Sequence, residues 1–171
     1  MGGFFGAACR HDALSDVFFG TDYHSHLGTR RGGMAAYDPE IGLQREIHNI
    51  ENSPFRTKFD NIAARMSGFA SIGCISDADP QPLLIRSKFG NYAIALVGMI
   101  ANSEALAESL LKRRGVFFQG MSGNRINSSE IIAALIEEKE TLAEGIRYAQ
   151  ECIDGAISII LLLENGHLVC A

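Results

Sequence analysis

A strongly apolar segment from Ala156 to Leu163 is followed directly by Glu164-Asn165-Gly166 and by a second short segment, His167 to Cys170. An Asn-Gly pair between two such runs is a strong signal for a tight hairpin turn. The end of the sequence therefore predicts an antiparallel β-hairpin whose first strand is strongly apolar. Because the second strand is cut short at Ala171, we expect the chain to be a fragment of a longer protein.

Helices are predicted ahead of this hairpin. Asn127-x-x-Glu130 and Thr141-x-x-Glu144 both have the spacing of a capping box, and each opens a segment with helical apolar periodicity. Asn102 is a further candidate N-cap. The helix that it would begin is expected to bury Leu106, Leu110 and Leu111.

The N-terminal half predicts mainly strands. The predicted elements are a strand at Gly3–Ala8, a helix from Asp12 to about Leu27 with Leu14, Val17, Phe18 and Tyr23 inward, a loop at Gly28–Gly33, a hairpin of Met34–Tyr37 and Gly42–Ile47, a helix at Phe55–Met66, and strands at Phe69–Ile75, Leu83–Ser87 and Tyr92–Val97. This order predicts an α+β fold in which helices cover largely antiparallel sheets.

Composition narrows the class of protein. The 171 residues, 47% of them hydrophobic, suit one domain over residues 1–171. A net charge of -5 with a single basic cluster argues against nucleic acid as a partner. No apolar run reaches membrane-spanning length, so a membrane partner is not expected either. The four cysteines lack Cys-x-x-Cys spacing and are expected to be free thiols in a reducing cytoplasm.

Three local patterns have a functional and a structural interpretation. Cys9 has Arg10 and His11 beside it, which would favour a reactive thiol, but a buried structural thiol is the preferred interpretation. His24-x-His26 is interpreted as solvated histidines at a helix end, because side chains two apart on a helix diverge. The Gly120–Arg125 segment is interpreted as a mobile loop rather than a phosphate-binding nest.

Six short motifs form an ordered set along nearly the whole chain. They are Met1-Gly2-Gly3-Phe4-Phe5-Gly6, Arg31-Gly32-Gly33-Met34-Ala35-Ala36, Pro80-Gln81-Pro82, Leu96-Val97-Gly98-Met99-Ile100-Ala101-Asn102, Asn127-Ser128-Ser129-Glu130 and Asp154-Gly155-Ala156. Each motif is weak by itself. In this order they resemble the class II, N-terminal nucleophile glutamine amidotransferases, and their detail most resembles amidophosphoribosyltransferases.

The resemblance implies a four-layer αββα sandwich, of the Ntn-hydrolase type, with two largely antiparallel sheets flanked by helices. It also implies a reaction in which an N-terminal cysteine attacks the glutamine amide, with its own α-amine as base. In that family an arginine binds the substrate carboxylate, an aspartate binds the substrate ammonium, and an Asn-Gly pair supplies the oxyanion donors.

This chain departs from that pattern at every side-chain role. Gly2 stands at the nucleophile position, Ser76 at the arginine position, Val97 at the oxyanion asparagine position and Ser128 at the aspartate position. Gly98, the backbone partner in the oxyanion motif, is retained. The resemblance therefore implies that no catalytic residue is intact and that glutaminase activity is absent.

The residues at the family's binding positions would form a vestigial glutamine pocket. It comprises Arg31, Gly32, Ser76, Val97, Gly98 and Ser128. Two alternatives stay open. One is an active amidotransferase with Cys74 as nucleophile and Arg30 or Arg31 as clamp. The other is a binding module for a less polar metabolite, since serines have replaced the charged groups that bind the ends of an α-amino acid.

The resemblance also implies partners. A downstream phosphoribosyltransferase domain of the same chain is expected, and a homo-oligomer is left open. Neither a cofactor nor a metal is expected in this domain. The parent family works in purine biosynthesis, so the main hypothesis is a catalytically inactive, structural or regulatory domain of such a protein.

Overall fold

The computed structural model describes residues 2–114, 118–119, 121–122 and 125–171. Within these ranges the chain forms ten strands and five α-helices. In chain order they are β1 (Gly2–Ala8), α1 (Leu14–Tyr23), β2 (Arg31–Asp38), β3 (Gly42–Asn49), α2 (Phe55–Ala63), β4 (Ala70–Ser76), β5 (Leu83–Ser87), β6 (Gly90–Ile100), α3 (Ser103–Arg114), β7 (Met121–Ser122), β8 (Arg125–Ile126), α4 (Ser128–Ile136), α5 (Leu142–Cys152), β9 (Gly155–Leu163) and β10 (Leu168–Cys170).

Two four-stranded sheets lie face to face, and all of their strand pairs are antiparallel. The first sheet has the order β1-β4-β2-β3, and the second has the order β10-β9-β6-β5. Helices α1 and α2 pack on the outer face of the first sheet, while α3, α4 and α5 pack on the second. This arrangement is the αββα sandwich that the sequence analysis expected.

The buried side chains form three layers, because successive side chains of each strand point to opposite faces of its sheet. In β9, Ile160 and Leu162 contact the opposite sheet, whereas Ile159 and Leu161 lie toward the helices on the other side. Successive side chains of a strand point to opposite faces, so a strand covered on both faces must be apolar throughout. The apolar segment at the C-terminal end is therefore a central strand, hydrogen-bonded to both β6 and β10.

The prediction of a loop at Gly28–Gly33 is wrong in its C-terminal part. Arg31, Gly32 and Gly33 belong to strand β2. Their backbone pairs on both sides, for example Arg31 with Asn49 of β3 and with Ser76 of β4. Glycines carry no side-chain periodicity, so the sequence offered no strand signal where the backbone ladder is in fact complete.

The first and third helices also differ from expectation. Helix α1 ends at Tyr23, and a separate turn of 3-10 helix covers Ser25–Leu27. Tyr23 was expected to face inward but is 77% exposed. In α3, Leu110 is buried as predicted, whereas Leu111 is exposed because it lies one residue further round the helix.

The helix caps are partly as predicted. Asn127 Oδ1 accepts the N–H of Ser129 at 2.9 Å, and Thr141 Oγ1 accepts that of Glu144 at 3.3 Å. Asn102 behaves differently. Its side chain donates to Cys152 O and accepts the N–H of Asp154, so it links the start of α3 to the connection between α5 and β9.

The cysteines are all free, but their burial is not uniform. Cys74 is buried, Cys9 and Cys152 are half-buried, and Cys170 is exposed. The expectation that Cys9 is buried is therefore wrong. Within the described ranges no helix has both the length and the hydropathy needed to cross a membrane. Gly120, Gly123 and Asn124 of the predicted mobile loop, and Met1, lie outside the described residues.

Candidate functional site

A cavity of about 120 Å³ lies where the two sheets and the start of α4 meet. Gly2, Ser76, Val97, Gly98 and Ser128 all line it. These residues come from β1, β4, β6 and α4, so only the packing of the sheets brings them together. The resemblance places at these five positions the nucleophile, the arginine that binds the substrate carboxylate, the two oxyanion donors and the aspartate that binds the substrate ammonium. The five positions therefore form one site.

At Gly2, where the resemblance places the nucleophile, the backbone leaves no room for a side chain. Gly2 pairs with Ser76 in the register of β1 and β4. A Cβ atom built on Gly2 would lie 2.5 Å from the carbonyl oxygen of Ile75, well inside van der Waals contact. Ser76 itself is buried, and its Oγ accepts the N–H of Ala78 at 3.2 Å. The floor of the cavity is consequently a close-packed piece of sheet.

The two residues at which the resemblance places the oxyanion donors are Val97 and Gly98. Gly98 has φ of +134°, a conformation that side-chain-bearing residues rarely adopt. The neighbouring Val97 is half-buried and apolar, so its side chain has no N–H group to donate to a developing negative charge.

Ser128 begins α4 and contacts a carboxylate that the sequence analysis did not assign to the site. The N–H of Ser128 donates to Asp79 Oδ2 at 2.9 Å, and Asp79 is only 9% exposed. A carboxylate at a helix N-terminus is stabilised by the helix dipole. Arg125, which is exposed, also lines the cavity. Asp79 and Arg125 therefore bring to the cavity two charged groups that the sequence did not assign to it.

Gln81 holds the wall of the cavity in place. Its Nε2 donates to Leu96 O at 3.0 Å, and its Oε1 accepts the Leu96 N–H at 2.5 Å and the Ser129 hydroxyl at 2.9 Å. Gln81 is 4% exposed, and its peptide bond to Pro82 is cis. This one side chain joins the loop after β4 to β6 and to the first turn of α4.

Two predicted pocket residues lie outside the cavity lining. Arg31 is next to Ser76 in the strand register, but it does not line the cavity. Gly32 lies beneath α2, where a Cβ atom would come within 2.7 Å of the Phe55 ring. Their placement follows from the extension of β2 through the segment that was predicted to be a loop.

The alternative nucleophile is badly placed. Cys74 is buried between the two sheets and is absent from the cavity lining. Burial raises the pKa of the Cys74 thiol far above its usual range, an effect larger than the opposing hydrogen bond with the Gly33 backbone. Arg30, one of its proposed partners, is exposed and lies 3.7 Å from Glu51. The thiolate that nucleophilic attack requires is therefore strongly disfavoured.

We accordingly expect Cys74 to resist alkylation in the folded protein. Only the thiolate reacts, and reagent can reach Cys74 only when the core opens, so its reaction should be more than about a hundredfold slower than that of exposed Cys170. Peptide mapping by mass spectrometry after a timed iodoacetamide pulse measures both rates in one sample. Equal rates would contradict the burial of Cys74, and denaturant should abolish the difference.

Known proteins share both the sequence and the fold of this chain. A curated amidophosphoribosyltransferase of Methanocaldococcus jannaschii is 23% identical over 164 residues, covering 92% of this chain and 34% of that protein. The solved glutamine phosphoribosylpyrophosphate amidotransferase of B. subtilis, complexed with ADP and GMP, superposes with a TM-score of 0.80 at 26% identity, over 96% of this chain and 35% of that one. The chain is homologous to the N-terminal glutamine amidotransferase domain of amidophosphoribosyltransferases.

A second solved structure, described as the allosteric regulatory enzyme of purine biosynthesis, agrees with this assignment. Its TM-score is 0.78 at 25% identity, over 94% of this chain and 35% of that one. No protein-family model matches the chain. The homologous domain spans about a third of the length of these relatives, and its two antiparallel sheets and five helices match their Ntn-hydrolase-like fold.

Proposed function

We propose that this chain is a glutaminase-like domain without glutaminase activity, with a structural or regulatory role in a protein related to purine biosynthesis. The observation that carries the proposal is the composition of the cavity. The residues at the four side-chain positions of the glutaminase site are Gly2, Ser76, Val97 and Ser128, and all four line that cavity. If the motifs had been aligned wrongly with those of the family, these four residues would not be expected to line one cavity.

The expected loss of rate is very large. Removing one oxyanion donor costs about a hundred- to a thousandfold. Removing a nucleophile costs about a millionfold in a serine protease. Gly2 offers no thiol, and Val97 offers no side-chain donor. A residual rate of glutamine hydrolysis would therefore be indistinguishable from that in buffer.

The test is a glutaminase assay on the purified protein. We expect ammonia release from glutamine to equal the buffer rate, and we expect Gly2→Cys to leave it there. The added side chain would press against Ile75 O, and Ser76 would still lack the charge that binds the substrate carboxylate. An active homologous amidotransferase serves as positive control. Ammonia release above buffer that disappears in Cys74→Ala would overturn the proposal in favour of rearranged catalysis.

The cellular context of the proposal follows from the relatives. They carry about two thirds of their length beyond the region matched here. We therefore propose a phosphoribosyltransferase domain as the partner, downstream in the same chain, with a homo-oligomer as a further arrangement. Such a transferase would draw on free ammonia or on ammonia from another protein. Four unpaired cysteines support a reducing compartment such as the cytoplasm.

A second candidate function is binding of a small ligand in the same cavity. Asp79 and Arg125 supply opposite charges there, which favours a small zwitterion over the less polar metabolite expected from sequence. The cavity of about 120 Å³ is smaller than the 300 Å³ or more typical of ligand pockets. A thermal-shift screen of small amino acids tests this function, with Asp79→Asn as the variant that should abolish any shift. If no compound raised the melting temperature, ligand binding in this cavity would be rejected.

A further inference from the structure

Three metal-ligating side chains lie together on the surface, away from the cavity. Cys9 directly follows β1, His11 lies in the connection to α1, and Asp16 is in the first turn of that helix. One ligand atom from each residue lies within 4.8 Å of the other two. His11 Nε2 is 3.6 Å from Asp16 Oδ2. This group has no part in the glutaminase-like site.

Backbone hydrogen bonds fix the segment that carries these ligands. The N–H of Cys9 donates to Phe69 O at 2.7 Å, and the N–H of Ala13 donates to Gly68 O at 2.8 Å. Asp12 Oδ1 accepts the N–H groups of Leu14 and Gly68. The connection is therefore held at both ends, and the ordering of three ligands on binding would cost less than in a free loop.

The donor set and its spacing suit zinc. A thiolate, an imidazole and a carboxylate are the three ligand types that Zn²⁺ accepts, at about 2.0 to 2.3 Å each. Tetrahedral bonds of that length place neighbouring ligand atoms roughly 3.3 to 3.8 Å apart. The distance of 3.6 Å between His11 Nε2 and Asp16 Oδ2 already falls in this range. The Cys9 sulfur lies within 4.8 Å of a ligand atom of each, so it would need to move by about 1 Å, which a rotation of its side chain can supply.

A catalytic relay fits the same three residues less well. In a Cys-His-Asp relay the two nitrogens of the imidazole face different partners, one the thiol and the other the carboxylate. Here one ring nitrogen of His11, the Cys9 sulfur and one Asp16 carboxylate oxygen all lie within 4.8 Å of one another. Three donor atoms of different residues within this distance of one another can share one cation after small side-chain movements. His11 and Asp16 are also exposed, so water can complete the coordination.

We propose that Cys9, His11 and Asp16 bind one Zn²⁺ ion, with water as the fourth ligand. The ion would link the end of β1 to the start of α1. This inference is independent of the glutaminase-like site, because none of its ligands lines the cavity. The zinc site can therefore fail while the proposed function stands, and the reverse also holds.

The test is a titration of the full chain with Zn²⁺ in competition with a chromogenic chelator. We expect one equivalent to bind, and Cys9→Ser or His11→Gln to weaken binding by about tenfold or more, since even outer partners of metal ligands contribute that much. Matched controls are Cys170→Ser and His26→Gln, which change an exposed thiol and an exposed imidazole elsewhere. Circular dichroism checks that every variant folds.

Alkylation supplies a second readout at the residue itself. Bound Zn²⁺ should slow the reaction of Cys9 with iodoacetamide and leave the reaction of Cys170 unchanged. Absence of saturable binding at one equivalent would overturn the proposal. So would binding that persists in both Cys9→Ser and His11→Gln, or binding lost in Cys170→Ser instead.

Discussion

Replacing Gln81 with leucine is expected to lower the free energy of unfolding by about 3 to 5 kcal/mol, because each buried polar group left without a partner costs about 1 to 3 kcal/mol. Leucine has nearly the same size but no polar atoms. The change would strip partners from the Leu96 N–H, the Leu96 carbonyl and the Ser129 hydroxyl. All three groups are buried, so water cannot replace the lost bonds without opening the structure.

The matched control is Gln44→Leu. The side chain of Gln44 donates a single bond, to Ser67 O at 2.9 Å, from a half-buried position. Its loss should cost about 1 kcal/mol, the usual net value of one hydrogen bond. Urea denaturation of both variants measures the difference, with an unchanged slope showing that the folded and unfolded states are comparable. Equal losses would contradict the special role of Gln81.

Gly98→Ala is expected to be the other severe change and to lower the free energy of unfolding by about 3 to 5 kcal/mol. Part of the loss is backbone strain, since φ of +134° disfavours any side chain by about 1 to 3 kcal/mol. The rest is overpacking, which costs about 1 to 3 kcal/mol. A Cβ atom at Gly98 would press on the backbone of β9, coming within 2.7 Å of Ile157 Cα and closer still to Ala156 O. Backbone atoms in a paired strand cannot move aside cheaply.

Gly42→Ala separates these two contributions. Gly42 also has a positive φ, of +86°, but a Cβ atom there would meet nothing within 4 Å. This control should therefore lose only the strain, about 1 kcal/mol. Thermal and urea unfolding of both variants measure the difference. A loss at Gly98 no larger than that at Gly42 would show that β6 and β9 can separate locally, which would also alter the wall of the cavity.

Local patterns predicted the elements that have strong periodicity or explicit start and stop signals. The hairpin at Glu164-Asn165-Gly166 and the helices begun by Asn127 and Thr141 are confirmed. Secondary-structure prediction failed at glycines, which have no side chain to show a periodicity. The prediction of burial failed at the end of α1, where the buried face of the helix is shorter than the helix. The glycines at Gly32 and Gly33 hid a strand, and the inner face of α1 stops short of Tyr23.

The candidate site shows the same division. The positions Gly2, Ser76, Val97 and Ser128 could be proposed from sequence, because the order of the motifs and the residue types at these positions are visible in the sequence alone. Asp79 could not be identified, since nothing in an isolated aspartate before Pro80 indicates that it will accept the N–H of Ser128. The contact joins residues far apart in sequence, and only the folded chain brings the loop after β4 against α4.

The sequence by itself determined the fold class, the relationship to the amidotransferase domains and the residue types at the positions that the resemblance identified. These properties depend on residue identity and on short-range periodicity. Only the tertiary structure decided that those positions share one cavity, that Cys74 is sealed between the sheets, that Gly2 has no space for a side chain, and that Cys9, His11 and Asp16 converge. Such properties depend on distances across strand pairs and packed layers, which the order of residues along the chain does not specify locally.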